Sequence, residues 1–194
     1  MKQAFIKLLL GIAALCVMAP ASAALIHFRA NLSGPAENPP NASPGVGIVF
    51  VDFDTLLNTL FIQATFSGLL GTTTSSHIHC CAPSPTNSQV ATVPPAFPGF
   101  PLMVTSGSYA GTLDLTQLGS YNAPFVAAHG GTAASAEAFL ITGMSLGQSY
   151  FNIHTTAFPG GEIRGFLVVP EPWTLSLLGM GLAVGLSSRR RTRV

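Results

Sequence analysis

Strict alternation governs the opening of this chain. From Ile26 to Leu32, the residues Ile26, Phe28, Ala30 and Leu32 fall on one face, and His27, Arg29 and Asn31 on the other. A period of two with one apolar face is the mark of a half-buried β-strand. The pattern returns. Residues 47–54 are apolar on both faces, which predicts a central strand. Residues 58–68 place Leu60, Ile62, Ala64 and Phe66 on one face and form a hairpin with it across the turn at 54–58. Shorter strands are predicted at 76–80, 107–115, 148–155 and 162–168, the last two joined across 156–161. Residues 34–45 and 81–100, rich in Pro, Asn, Ser and Gly, read as loops. Dense alanine predicts one or two helical turns at 122–129 and a short helix at 135–142. The fold class is therefore all-β, an antiparallel sandwich or barrel with one or two short helices. Its expected core holds Ile26, Phe28, Ile48, Phe50, Leu60, Ile62, Phe66, Phe151, Ile153 and Phe166.

The two ends have another composition. Lys2 and Lys7 flank the start of an apolar run, Leu8–Met18, and Ala21-Ser22-Ala23 supplies a small-residue cleavage site. This order predicts a signal peptide over 1–23 and a mature chain from Ala24. Cys16 leaves with it, and Leu15 before it argues against a lipoprotein cysteine. At the other end, Pro170-Glu171-Pro172 precedes an apolar stretch to Leu186, then Arg189, Arg190, Arg191 and Arg193. Arginines behind an apolar helix hold that end in the cytoplasm. The order resembles the PEP-CTERM sorting signal of Gram-negative bacteria. That resemblance implies passage through the Sec translocon, a transient inner-membrane helix over 170–194, and cleavage near Pro170–Pro172 by an exosortase-type protease. It also implies delivery to the cell surface or an exopolysaccharide matrix.

One domain remains, 24–169. Its only basic residues are Arg29 and Arg164, set against six acidic ones, for a net charge of −4. A nucleic-acid binder needs a basic footprint, and this domain has none; nucleic acid is not an expected partner.

Two segments carry possible chemistry. In Ser76-His77-Ile78-His79 the imidazoles share a face of a strand, a spacing that suits chelation of one transition metal. In the second, Tyr150, Asn152 and His154 share a face, followed by Glu162 and Arg164 on the partner strand. Two readings are open for His77, His79 and His154: a copper or zinc centre, or histidines hydrogen-bonded to backbone and Asn152 within the sandwich. Glu162 and Arg164, two apart on a strand, read as a structural ion pair. His27 and His129 read as surface or loop residues, His129 at a helix C-terminus. No nucleophile elbow, phosphate loop or dinucleotide fingerprint occurs, and no catalytic residue is nominated.

These segments resemble the CHRD (chordin-type) domain, which carries a His-x-His strand and a terminal hairpin. The matching residues are His77-Ile78-His79 and Asn152-Ile153-His154-Thr155, then Pro159-Gly160-Gly161-Glu162-Ile163-Arg164-Gly165. The resemblance implies a β-sandwich, Ig-like or similar to that of copper/zinc superoxide dismutase, and assigns no reaction. This chain departs from the common pattern after His79, where Cys80-Cys81 stands. For these cysteines a vicinal disulfide, two thiols flanking a metal, and an intermolecular bridge are all open. The leading expectation is a secreted binding or structural module, with metal binding, and redox activity with it, as the second.

Overall fold

The computed structural model describes residues 24–170; the expected signal peptide and terminal sorting helix lie outside them. Seven strands form one antiparallel sheet: β1 (Leu25–Ser33), β2 (Val46–Asp54), β3 (Thr59–Ser67), β4 (Thr73–Cys80), β5 (Gly107–Asp114), β6 (Ser149–Thr155) and β7 (Ile163–Phe166). Two helices, α1 (Ala123–Ala128) and α2 (Ala133–Ser145), lie between β5 and β6. The strand order is β4-β6-β7-β1-β2-β3-β5. The sheet curls into a sandwich-like all-β fold, as the alternation predicts. Phe97, from the long loop after β4, stacks on Tyr109 of β5 and on Phe151 of β6, so residues from opposite ends of the sheet share one core. Among the described residues no helix is long and apolar enough to cross a membrane.

The register fixes which faces are buried. Phe28 opposes Val51 and Ala30 opposes Val49 on β1–β2; Val51 and Val49 then oppose Ile62 and Ala64 on β3. All six side chains point into the core. Phe50 takes the opposite parity and is 44% exposed, contrary to the expected core; Ile26, Ile48 and Phe166 are half-buried. The reason is the composition of β2. It is apolar on both faces, so its own sequence does not say which face turns inward, and its neighbours decide. Phe151→Ala is expected to cost about 3–5 kcal/mol through cavity formation, and Phe50→Ala about 1 kcal/mol or less. Denaturant unfolding of the two variants checks the assignment.

Helix α2 starts with a capping box in which Thr132 and Ser135 satisfy each other's backbone and side-chain groups. It buries Ala136, Leu140, Gly143 and Met144. Cys80 and Cys81 are joined as a vicinal disulfide. A Cβ at Gly143 would run into both sulfurs, so glycine lets the helix rest on the disulfide.

Candidate metal centre

Strands β4, β6 and β7 have two unlike faces. Ile78, Phe151, Ile153 and Ile163 join the apolar core. The opposite face carries His77, His79, Tyr150, Asn152, His154 and Arg164. The ladder sets them in rows: His77 opposes Asn152, which opposes Arg164, and His79 opposes Tyr150, which opposes Phe166. His154 opposes Ser75. A polar face would normally be solvated, yet every residue of β6 is buried. The loop after β4 and the β6–β7 turn cover it.

The three histidines converge. Ring centroids lie 4.8 Å apart for His77–His79, 4.7 Å for His77–His154 and 5.9 Å for His79–His154. Metal–nitrogen bonds of about 2.0–2.1 Å put imidazole centroids about 3.2 Å from a shared ion, hence about 5.2–5.5 Å from one another. The rings already stand near that spacing. One coordinating atom from each lies within 4.8 Å of the others, and closing this to the ~3.4 Å of a filled site asks for ring rotation.

Hydrogen bonding leaves one buried nitrogen of each ring free. His79 Nδ1 donates to the Ser88 carbonyl at 2.7 Å, and His154 Nδ1 to the Pro159 carbonyl at 2.9 Å. These bonds fix the tautomer and turn each Nε2 lone pair inward, as carbonyls behind metal-ligating histidines do. His79 Nε2, His154 Nε2 and His77 Nδ1 are buried without a partner. Each such orphan costs about 1–3 kcal/mol. Three of them stand on adjoining rings; Asn152 Oδ1 on the same face and Ser76 Oγ on the same strand as His77 are likewise buried without a partner. The backbone half of the hydrogen-bonded alternative is met for His79 and His154 through Nδ1, while their Nε2 atoms and His77 Nδ1 bond neither Asn152 nor the backbone.

Burial also keeps the imidazoles neutral. His77 is pushed down to about 3 by burial first and then by the neighbouring His154 and His79. His79 is pushed down to about 4, again mainly by burial, against the opposing pull of the Ser88 carbonyl. His154 is lowered by burial, opposed by the Pro159 carbonyl. The unfolded chain therefore binds more protons than the folded one between about 6.5 and 4. Stability from the neutral imidazoles is full above 6.5 and is lost as the pH falls. Glu37 acts oppositely: burial raises it to about 7, against Arg164, so its contribution is full below about 4.5 and is lost as the pH rises. Each imidazole contributes a slope of up to about 1.4 kcal/mol per pH unit. Two or three outweigh one carboxyl, so the metal-free protein is expected to lose stability from pH 6.5 to 4.5. Unfolding of a His77→Ala/His79→Ala variant at the same pH values should show a much flatter or inverted trend.

Glu162 and Arg164 do not form the ion pair read from their spacing. Glu162 lies just before β7, and its carboxylate accepts from Ser43 Oγ (2.6 Å), Leu70 N (2.6 Å), Gly71 N (3.2 Å) and Thr155 Oγ1 (2.6 Å). Burial would raise this carboxyl; the four donors outweigh it and hold it below the usual range. Arg164 donates Nε to Ala36 O (2.6 Å), Nη1 to Asn87 Oδ1 (2.6 Å) and Nη2 to Pro85 O (2.7 Å). The nearest carboxylate oxygen, on Glu37, is 3.8 Å from Nε. Each charged side chain thus ties two separate loops to the terminal hairpin, and Arg164 fastens the loop that carries Ser88. Its guanidinium also lies over Tyr150, 4.6 Å from the ring centroid, while Tyr150 stacks on His79 at 4.6 Å.

The other expected residues lie apart. Cys80 faces the core on the side of β4 opposite the imidazoles, so the sulfurs do not join the histidine cluster. His27 is exposed and contacts Asp52 at 2.7 Å. His129 closes α1 and stacks on Phe139. Sequence reasoning missed Glu37, Ser43 and Ser88 as parts of the site's support. All three lie in loops, where no periodicity marks a buried residue.

No curated protein and no solved structure matches the chain. A family comparison does: residues 28–167 match the CHRD domain, spanning both the His-x-His strand and the closing hairpin. The chain belongs to the CHRD domain family.

Proposed function

We propose that this domain is an exported metal-binding module that holds one copper or zinc ion through His77, His79 and His154. The observation that carries this reading is the set of three buried, unpartnered imidazole nitrogens on rings spaced for a common ion. Imidazole suits both metals, and the group contains no carboxylate or thiolate. The role is binding; no nucleophile or general base is assigned beside the cluster. Export and sorting complete the proposal. The signal peptide would route the chain through the Sec translocon. The PEP-CTERM-like segment with Pro170, Glu171, Pro172, Arg189, Arg190 and Arg191 would anchor it transiently in the inner membrane. An exosortase-type protease would then release it to the cell surface or exopolysaccharide matrix.

Elemental analysis of protein purified from the periplasm tests the metal reading. About one equivalent of copper or zinc is expected in the wild type and under a tenth in His77→Ala/His79→Ala. Equal, low metal content in both, unchanged after loading, would leave the histidines as structural. Intact-mass measurement of the surface form tests the sorting: a chain starting at Ala24 and ending near Pro172 is expected, and retention of 173–194 in wild-type cells contradicts it.

A further inference from the structure

The electrostatics of the cluster distinguish between ions of different charge. All three donors are neutral, and no acidic side chain belongs to the group. The formal charge adjoining the cluster is cationic: the Arg164 guanidinium, 1% exposed, lies 4.6 Å from the Tyr150 ring centroid, and Tyr150 stacks on His79 at 4.6 Å. The carboxyl beside it, Glu37 at 3.8 Å from Nε, is raised by burial to about 7, which weakens it as a counter-charge. Glu162, the best-stabilised buried carboxylate, is turned to Ser43, Thr155 and residues 70–71. Thr155 lies on the face of β6 opposite His154 by strand alternation.

An ion entering this site leaves water for three buried nitrogens. The desolvation cost scales with the square of charge, so a divalent ion loses about four times what a monovalent ion of equal size loses. Its repulsion by the Arg164 guanidinium is doubled. Imidazole suits copper and zinc alike as a ligand type, with Cu(II) ranked above Zn(II), so ligand type does not choose between the monovalent and divalent ions and charge separates them. A dication could recover part of the loss by taking hydroxide as a fourth ligand; a monovalent ion with three nitrogens needs none.

We propose that the His77–His79–His154 site selects monovalent copper over divalent copper and zinc. This rests on the metal-binding reading above and sharpens it. The neutral donors, the burial and the Arg164–Tyr150–His79 stack all act in the same direction. No redox turnover is implied; the site stabilises the reduced ion.

The test uses the protein purified from the periplasm, stripped of metal, at pH 7. Anaerobic competition with bicinchoninate measures Cu(I) binding, and competition with chromophoric chelators measures Cu(II) and Zn(II). Cu(I) is expected to bind at least about 100-fold more tightly than either divalent ion. Relative to Cu(II), that ratio raises the potential of bound copper by about 120 mV over the aqueous couple, at 59 mV per tenfold for one electron. Voltammetry provides this second reading without any variant. Zinc or Cu(II) bound as tightly as Cu(I) overturns the selection while leaving metal binding intact. Failure of all three ions to bind overturns both. Cu(I) binding that survives in a folded His77→Ala/His79→Ala variant overturns the location.

Discussion

Arg164→Ala is expected to destabilise the domain by about 3–5 kcal/mol, enough to unfold much of it at physiological temperature. The side chain is the largest fully buried one and bonds three oxygens from residues 36, 85 and 87 at 2.6–2.7 Å. Truncation leaves two carbonyls and the Asn87 amide oxygen without this partner in a dry interior, and removes the group lying over Tyr150 and Phe166. Arg164→Lys should recover little, because one ammonium cannot match the three directions of the fork. The damage should also reach the histidines, since the loop fastened at Pro85 and Asn87 carries the Ser88 carbonyl that orients His79. Denaturant unfolding reads the first effect. A loss of less than about 1 kcal/mol would show that these bonds are replaced by water at little cost.

His77→Ala/His79→Ala carries the second large effect, and its direction separates the two meanings of the cluster. If metal occupies the site, a saturating ion stabilises the wild type by RT ln(1 + [L]/Kd), about 4 kcal/mol at a thousandfold excess over Kd. The variant should lose all of that gain. Its own metal-free stability should change by about 1–2 kcal/mol at most, because truncation opens small cavities while removing two orphaned polar groups. Structural histidines would give the reverse, with a large loss in the metal-free protein and no response to metal. Thermal unfolding of both proteins, with and without one metal equivalent, distinguishes the cases.

Much of the fold was legible because sheet register repeats every second residue. The alternation in Ile26–Leu32 and in the strand holding Leu60, Ile62 and Phe66 is visible without neighbours, and the structure buries Phe28, Ala30, Leu32, Leu60, Ile62, Ala64 and Phe66. Phe50 was misread because Val49, Phe50 and Val51 are all apolar, and pairing with β1 and β3 decides between the faces. The three histidines could be nominated together from residue type and spacing, but the strand pairing that unites their segments has no periodic signal in the sequence. His77 and His154 are far apart along the chain, and only the β4–β6 ladder brings His154 opposite Ser75, beside His77. The roles of Glu162 and Arg164 were hidden for a related reason. Their partners, Ser43, residues 70–71, Ala36, Pro85 and Asn87, lie in loops with no period to place them. The cysteines were limited by geometry alone to a few arrangements, and packing on Gly143 shows the one adopted.

X-ray absorption at the metal edge of the loaded wild-type protein tests the central claim most directly. Three nitrogen scatterers at about 2.0–2.1 Å, with the outer-shell pattern of imidazole rings and no sulfur scatterer, are expected. A first shell of oxygen alone, or one containing sulfur from Cys80 or Cys81, would contradict a centre built from His77, His79 and His154.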